Sequence, residues 1–384
     1  DTDIRSHAQP DGYYQHHSLE SPATFRRAAA EALLDRIHGR DSTGIAAAVF
    51  ADGEVAFARR LLQNAGSDCR GWSDQRVLRS YLTTSDFNLI AGMVANTRIV
   101  ETYKAAVSPI STVFGKRHVP DFNKHTEALV DWTTLKIEKV NEHGEYHSSF
   151  IDEAGETISI ATYGTITAIT RQLLVNAHGA LDNMAKKQGL ALAAWRATQM
   201  VRFIEQNSYA GPKLRDNTAV FHASRENIKT LPTYDPKVAG TELMLQRSRQ
   251  ARRKGGGDVI IGTMAKFWLV HSDLEGFAFQ VLANVAATEV SNVNPVAGRL
   301  TVVPEPRLTD PSKSWLLADP NEMDGAVQVA MEGAEDPFTD SWEGKEIDGI
   351  SFKIRLDHGL GWLEWRGWPR PEHGRTRLEP HPDC

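Results

Sequence analysis

Residues 179–206, GALDNMAKKQGLALAAWRATQMVRFIEQ, constrain the fold more than any other stretch of this chain. Leu181, Met184, Leu192 and Trp195 recur at spacings of three and four or their multiples, as do Ala193, Ala197, Met200 and Ile204. That period places them on one broad apolar stripe of an α-helix. No proline interrupts the run, and its one interior glycine, Gly189, costs only about 1 kcal/mol. At the α-helical rise such a helix is roughly 42 Å long, well above the common length. A helix of that length needs an equally long partner surface. The chain supplies strand-like segments before it and a second strand-rich block further on. A long helix on a sheet, with a long hairpin in front, describes a scaffold more than a catalytic pocket.

The chain has 384 residues, enough for two or three domains with substantial cores. A net charge of −6 argues against a protein whose main task is gripping nucleic acid. The two cysteines, Cys69 and Cys384, make no disulfide framework or zinc spacing, and a reducing cytosol is the natural place of synthesis. There is no apolar run long enough for a membrane span and no basic-then-apolar signal sequence. The chain begins at Asp1 and not at methionine, as after trimming or upstream proteolysis.

Taken in order, residues 1–20 read as a polar arm. Ser21-Pro22 opens a helix that stops at Gly39, with Leu33, Leu34 and Ile37 as its buried face. Residues 45–62 fit either a hairpin or short helices around the Asp52-Gly53 turn. Helical pattern resumes at Ser73. Thr84 or Ser85 caps the next helix, which carries Phe87, Ile90, Met93, Val94, Ile99 and Val100. Residues 125–163 alternate as strands, with Leu135 and Ile137 between Lys136 and Glu138, and a turn at residues 141–144. A two-stranded hairpin that long is unstable alone in water and must lie on something. Beyond the long helix come an irregular stretch and a helix over 236–256. Short strands in GRLTVVPEPRL and SWLLADP and a last alternating block follow. Residues 369–384 hold four prolines and read as a tail.

Several stretches carry chemistry-bearing residue types. His7, His16 and His17 with Asp1, Asp3 and Asp11 could ligate a metal, but adjacent histidines on a polar arm are more often solvated. ARRKGGGD lacks the order of a phosphate loop and follows a helix, so it reads as a basic loop. Glu332, Glu335, Asp336 and Asp340 lack EF-hand spacing and read as a solvated acidic turn. Trp362, Trp365 and Trp368 could stack on bases; burial at a strand end or subunit interface is the stronger reading. No G-x-S-x-G motif is present, nor S-x-x-K in a plausible setting. Catalytic, cofactor-binding and metal residues are therefore expected to number none.

The order of TTSDFNLIAGMVAN, RHVPDFNKHTEALV, ATYGTITAITRQLLVN, HGALDNMAKKQGLALA, DNTAVFHASRENI, AGRLTVVPEPRL, SWLLADP and the block from EGAEDPF to LEWRG resembles a known family. It is similar to the tailed-phage major capsid proteins of the Hong Kong 97-type fold, in the branch of the Mu-type head subunit, often fused to or downstream of a prohead protease. The resemblance runs from about residue 81 to 368. It implies an α+β fold with an N-terminal arm, an extended β-hairpin loop, a spine helix, and peripheral and axial domains. On that pattern residues 1–80 are an extra arm and 81–116 a helical arm. Residues 117–165 are the extended loop and 166–225 the peripheral domain with its spine. Residues 226–325 form the axial domain, 326–368 the returning peripheral strands and 369–384 the tail.

The implied protein is not an enzyme. It assembles as a homo-oligomer, in hexamers and pentamers, into an icosahedral head shell. The shell encloses double-stranded DNA without sequence-specific binding. Decoration, portal, scaffold or protease proteins are its implied partners, and no membrane. Its place is the virion, after assembly in the bacterial host cytoplasm. Cleavage in the fused branch would account for a start at Asp1. ARRKGGGD would lie at an axial pore. Some relatives crosslink a lysine to an asparagine; Lys136, Lys139 and Asn321 do not align to that set, and no crosslink is expected. An encapsulin-like cargo compartment of the same fold is one alternative. A hydrolase with its site in residues 1–110 is another.

Overall fold

The computed structural model describes residues 21–128, 155–170, 180–231, 234–255, 259–283, 298–343 and 349–373. The expected arm, the outer part of the hairpin with its Lys136 and Lys139, and the last eleven residues with Cys384 lie outside them. The helices are α1 (Pro22–His38), α2 (Gly44–Val49), α3 (Glu54–Asn64), α4 (Asp74–Ser80), α5 (Ser85–Ala105), α6 (Ala180–Tyr209), α7 (Pro236–Ala251) and α8 (Glu275–Leu282). The early strands are β1 (Gly115–Val119), β2 (His125–Ala128), β3 (Gly155–Ile158), β4 (Ala161–Thr170), β5 (Ile228–Leu231) and β6 (Ala265–His271). The later ones are β7 (Thr301–Glu305), β8 (Trp315–Ala318), β9 (Ala326–Met331), β10 (Phe338–Glu343), β11 (Gly349–Trp362) and β12 (Arg370–His373). This is the α+β class expected from the sequence.

The chain divides into two units. One comprises Asp1–Ala106, Tyr163–Leu192 and Asp336–Leu356. Its α1 begins at Pro22, where the missing N–H is no loss, and ends at Gly39, whose φ of 67° suits glycine. Ser21 occupies the cap position, yet its side chain makes no capping bond. The buried face is Phe25, Ala28, Ala29 and Ala32, and not the expected one. Leu33 and Leu34 are half-buried and Ile37 is 38% exposed. Small alanines let α1 lie close against α5, so the bulkier leucines fall to the margin.

Residues 45–62 form the short helices α2 and α3 around a turn in which Gly53 has φ 88°. Thr84 caps α5, accepting the Phe87 N–H at 3.2 Å. Helix α5 buries Ile90, Val94 and Ile99 as expected, whereas Met93 is 39% exposed. A second core of this unit joins Ala91, Ala95 and Ile99 of α5 with Ala185 of α6, Ile169 of β4, and Ile350, Phe352 and Ile354 of β11. Strand β10 pairs antiparallel with the first half of β11, from Phe338↔Arg355 to Glu343↔Ile350.

The other unit comprises Val107–Thr162, Ala193–Glu335 and Asp357–Cys384. Here β1 pairs parallel with β9, and β9 antiparallel with the second half of β11. Strand β6 lies between β7, parallel, and β8, antiparallel. The later part of α6 buries Ala197, Met200, Val201 and Ile204 against Trp315, Leu317, Trp362 and Trp368. Gln206 leaves helical geometry, and Asn207, Ser208 and Tyr209 have positive φ. The regular helix thus ends where the sequence period does. Asp235 caps α7 by accepting the N–H groups of Lys237 and Val238.

The reading of 369–384 as a coreless tail is wrong at its start. Residues 370–373 form β12, parallel to β5, with Arg370 and His373 buried. The other side of β12 meets residues 312–316, where Pro371 brings no N–H but its carbonyl accepts the Ser314 N–H at 3.1 Å.

Candidate functional site

The three late tryptophans sit in the second unit. Trp362 and Trp368 are 3% and 2% exposed, with ring centroids 4.6 Å apart in an edge contact. Phe203 and Phe221 flank Trp362, and Phe114 meets the edge of Trp368. These rings fill the chain's own core and are not available to bases. Trp365 is half-buried beneath the guanidinium groups of Arg225, Arg253 and Arg366, each 5.0–5.4 Å from its centroid.

In the expected basic loop after α7, Arg252 and Lys254 are exposed, while Arg253 is half-buried and turned inward. Its Nη1 donates to the Arg366 carbonyl at 2.6 Å, and burial holds its pKa down to about 10. It serves as an internal strut. Gly256, Gly257 and Asp258 lie outside the described residues. Arg225 is likewise buried, with Nη2 donating to both oxygens of Asp216 at 2.7 and 2.8 Å.

The base of the expected hairpin is present as β2 paired antiparallel with β3, from His125↔Ile158 to Ala128↔Gly155. Glu127 stands opposite Glu156, a like-charge pair that weakens the ladder at this point. Both carboxylate oxygens of Glu156 accept the Arg215 N–H, at 3.0 and 3.1 Å. Burial nevertheless raises its pKa. Asp121, before β2, accepts from the Asn123 amide and backbone and from His125, which lowers its pKa.

In the first unit one sheet face is open. Phe338, Asp340 and Trp342 alternate onto the side of Arg355, Lys353 and Ser351, their register partners. Phe338 is 48% and Trp342 39% exposed, and the Arg355 guanidinium lies 4.7 Å from the Phe338 centroid. On β4, Tyr163 and Ile166 are also exposed. Large apolar side chains gathered on strands mark a surface built to be covered.

In the second unit a cleft of about 560 Å³ opens beside β1. Lys116 and Gln328 are register partners on β1 and β9, so they share one face of the sheet. Arg196 of α6 reaches that face and donates from Nη2 to Gln328 Oε1. Arg117, on the opposite side of the pleat, donates to Asp324. Asn321 lies at the cleft, its amide donating to Asp319 Oδ1 at 3.0 Å. None of the described residues lining the cleft is acidic. Sequence reasoning missed it, because its cations come from two segments far apart in the chain, β1 and α6.

The expected acidic turn is paired. Glu335 meets His118 Nε2 at 3.0 Å, and Asp336 meets Lys104 at 2.7 Å. Among the described residues no group of three or more His, Cys, Asp and Glu could hold a metal. His7, His16 and His17 lie outside them, with Asp1, Asp3 and Asp11. No helix among them is long and apolar enough to cross a membrane.

The family model for phage capsid protein matches residues 154–370. The chain belongs to the phage capsid protein family. It is therefore a structural protein, and the match spans α6 and the strands from β3 to β11. No curated protein matches the chain.

Solved structures resemble this capsid-family chain at low identity. The mature capsid of bacteriophage PhiM1 is 10% identical, covering 70% of this chain and 88% of that one, with a TM-score of 0.48. A phage-related protein from Bordetella bronchiseptica is 9% identical over 71% and 95%, with a TM-score of 0.47. An encapsulin complex from Synechococcus elongatus is 11% identical over 70% and 88%, with a TM-score of 0.44.

Proposed function

We propose that this chain is the major capsid subunit of a tailed phage, of the Hong Kong 97-type, and has no enzymatic role. Many copies, in hexamers and pentamers, close an icosahedral head shell around double-stranded DNA. The observation that carries the reading is the capsid family match over residues 154–370. The exposed aromatic side chains on β10 and the pairing of β2 with β3 at the base of the expected hairpin support it, since a shell subunit needs wide surfaces to bury against copies of itself. On this reading residues 117–165 are the extended loop and 226–325 the axial domain. Residues 166–225 with 326–368 form the peripheral domain around the spine α6. The order of the sequence motifs is what supports a subunit of the Mu-type branch. The virion is its site, after assembly in the bacterial host cytoplasm, with decoration, portal and scaffold or protease proteins as partners.

The test is to purify particles from the native source, treat them with nuclease, and extract nucleic acid. Protected double-stranded DNA of genome length is expected. Particles filled with an enzyme and free of DNA would contradict it and assign a cargo compartment.

A further inference from the structure

The geometry points to a releasable latch: β12 holds the end of α6 in a left-handed turn, and when β12 lets go, residues 206–210 re-coil as a further right-handed turn of α6. Both elements lie in the second unit. The latch acts within one chain and is independent of the capsid reading.

Asn207, Ser208 and Tyr209 have φ of 56°, 56° and 66°, three of the five non-glycine residues with positive φ among the described residues. Asparagine visits that region as a single residue, whereas serine and tyrosine rarely do, because Cβ crowds the following carbonyl oxygen. A run of three is strained and persists only where surrounding structure holds it. Asn207 and Ser208 are exposed, so burial of their own side chains does not hold the turn. One local bond contributes, from Asn207 Nδ2 to the Gly211 carbonyl at 2.8 Å.

The remaining hold centres on Tyr209 and comes largely from β12. Arg370, 6% exposed, donates from Nη1 to the Tyr209 carbonyl. Its Nη2 donates to Glu372 at 2.7 Å, and Glu372 accepts from Lys313 Nζ at 3.2 Å. Lys313 Nζ in turn lies 5.3 Å from the centre of the Tyr209 ring. The Tyr209 hydroxyl is bonded to Thr309 Oγ1 at 2.8 Å. Pro212 bounds the change to about one turn, since the residue before a proline avoids helical geometry. Release strips β5 and residues 312–316 of their backbone partners, so the latched form is the resting state.

Hydrogen exchange of the full chain, read by mass spectrometry with fragmentation, follows both ends of the latch. On β12 the Arg370 N–H bonds the Asn227 carbonyl and the His373 N–H bonds that of Ser312; on the turn the Gly211 N–H bonds the Gln206 carbonyl. Ser208→Gly favours the left-handed turn and disfavours helix, and is expected to slow exchange at all three amides about tenfold. Asn207→Ala has the opposite preference and is expected to speed all three about tenfold. Amides of α6 before residue 205 keep their rates in both variants, because the opening is local. Changes confined to Gly211, with Arg370 and His373 unaltered, would overturn the proposal, as would one equal change throughout α6. A cryo-electron microscopy structure of the Asn207→Ala/Arg370→Lys variant is expected to show right-handed helix through Tyr209. A left-handed turn persisting there would overturn it.

Discussion

Gly189 of α6 lies against Ile99 of α5 so closely that a Cβ at 189 would sit 2.6 Å from the Ile99 carbonyl oxygen. Thr102 Cβ would lie at 2.8 Å and the Tyr103 nitrogen at 3.1 Å. Backbone atoms cannot give way as a side-chain tip can. The glycine that looked like a small penalty within a long helix is the point where two helices touch.

Gly189→Ala is therefore expected to destabilise the protein despite the better helix propensity of alanine. Overpacking costs about 1–3 kcal/mol and propensity returns about 1 kcal/mol, and because the clash is with backbone the net loss is predicted to lie toward the upper end of the difference, about 2 kcal/mol. Urea unfolding of the full chain checks it. An unchanged or raised midpoint would show that the helices separate freely.

Trp368 is buried between Trp362 and Phe114, and a Cβ added at Gly325 would strike its indole. Trp368→Ala is predicted to cost about 3–5 kcal/mol through lost burial and a cavity. Thermal unfolding followed by tryptophan fluorescence measures this. A loss below about 1 kcal/mol would place Trp368 at the surface and revive a role in stacking.

His358 and His373 are each 4% exposed, and burial lowers both pKa values to about 4; the Arg196 charge adds to the effect at His358. His373 is stacked on Tyr234 at 5.1 Å. The unfolded chain protonates both near 6.5 while the folded chain does not. Stability is therefore full above pH 6.5 and falls as pH drops toward 4, by up to about 3 kcal/mol for each histidine. Replacing His373 by Phe is expected to flatten the stability curve across that window. A curve identical to that of the unaltered protein would contradict this.

Thr84→Ala is predicted to cost about 1 kcal/mol by removing the acceptor for the Phe87 N–H at the start of α5. Chemical denaturation of the variant beside Thr84→Ser separates the hydroxyl from the methyl group. Serine should recover most of the loss, and an alanine variant as stable as the parent would deny the cap.

What was legible in the sequence was local. The period of three and four in residues 179–206 marked α6, Gly39 marked the end of α1, and Thr84 marked the start of α5. Each is decided by residues within a turn or two of one another. The misreadings came from partners distant in sequence. Arg370–His373 looked like a proline-rich tail until β5, well over a hundred residues earlier, supplied its pairing. Arg253 read as one more cation of a basic loop, and only the fold shows Trp365 and the Arg366 carbonyl beside it. Residues 21–38 showed leucines that suggested the wrong face, because the alanine face is chosen by the approach of α5. The cationic cleft was invisible for the same reason: Lys116, Arg196 and Gln328 meet only once β1, α6 and β9 are folded.

On the proposed function, this chain completes its structure against copies of itself. Cryo-electron microscopy of the purified full chain, paired with analytical ultracentrifugation across protein concentration, tests that most directly. The expected result is closed icosahedral shells in equilibrium with pentameric and hexameric rings, and a vanishing monomer fraction as concentration rises. A single species sedimenting as a monomer at every concentration, with no particles on the grid, would contradict it.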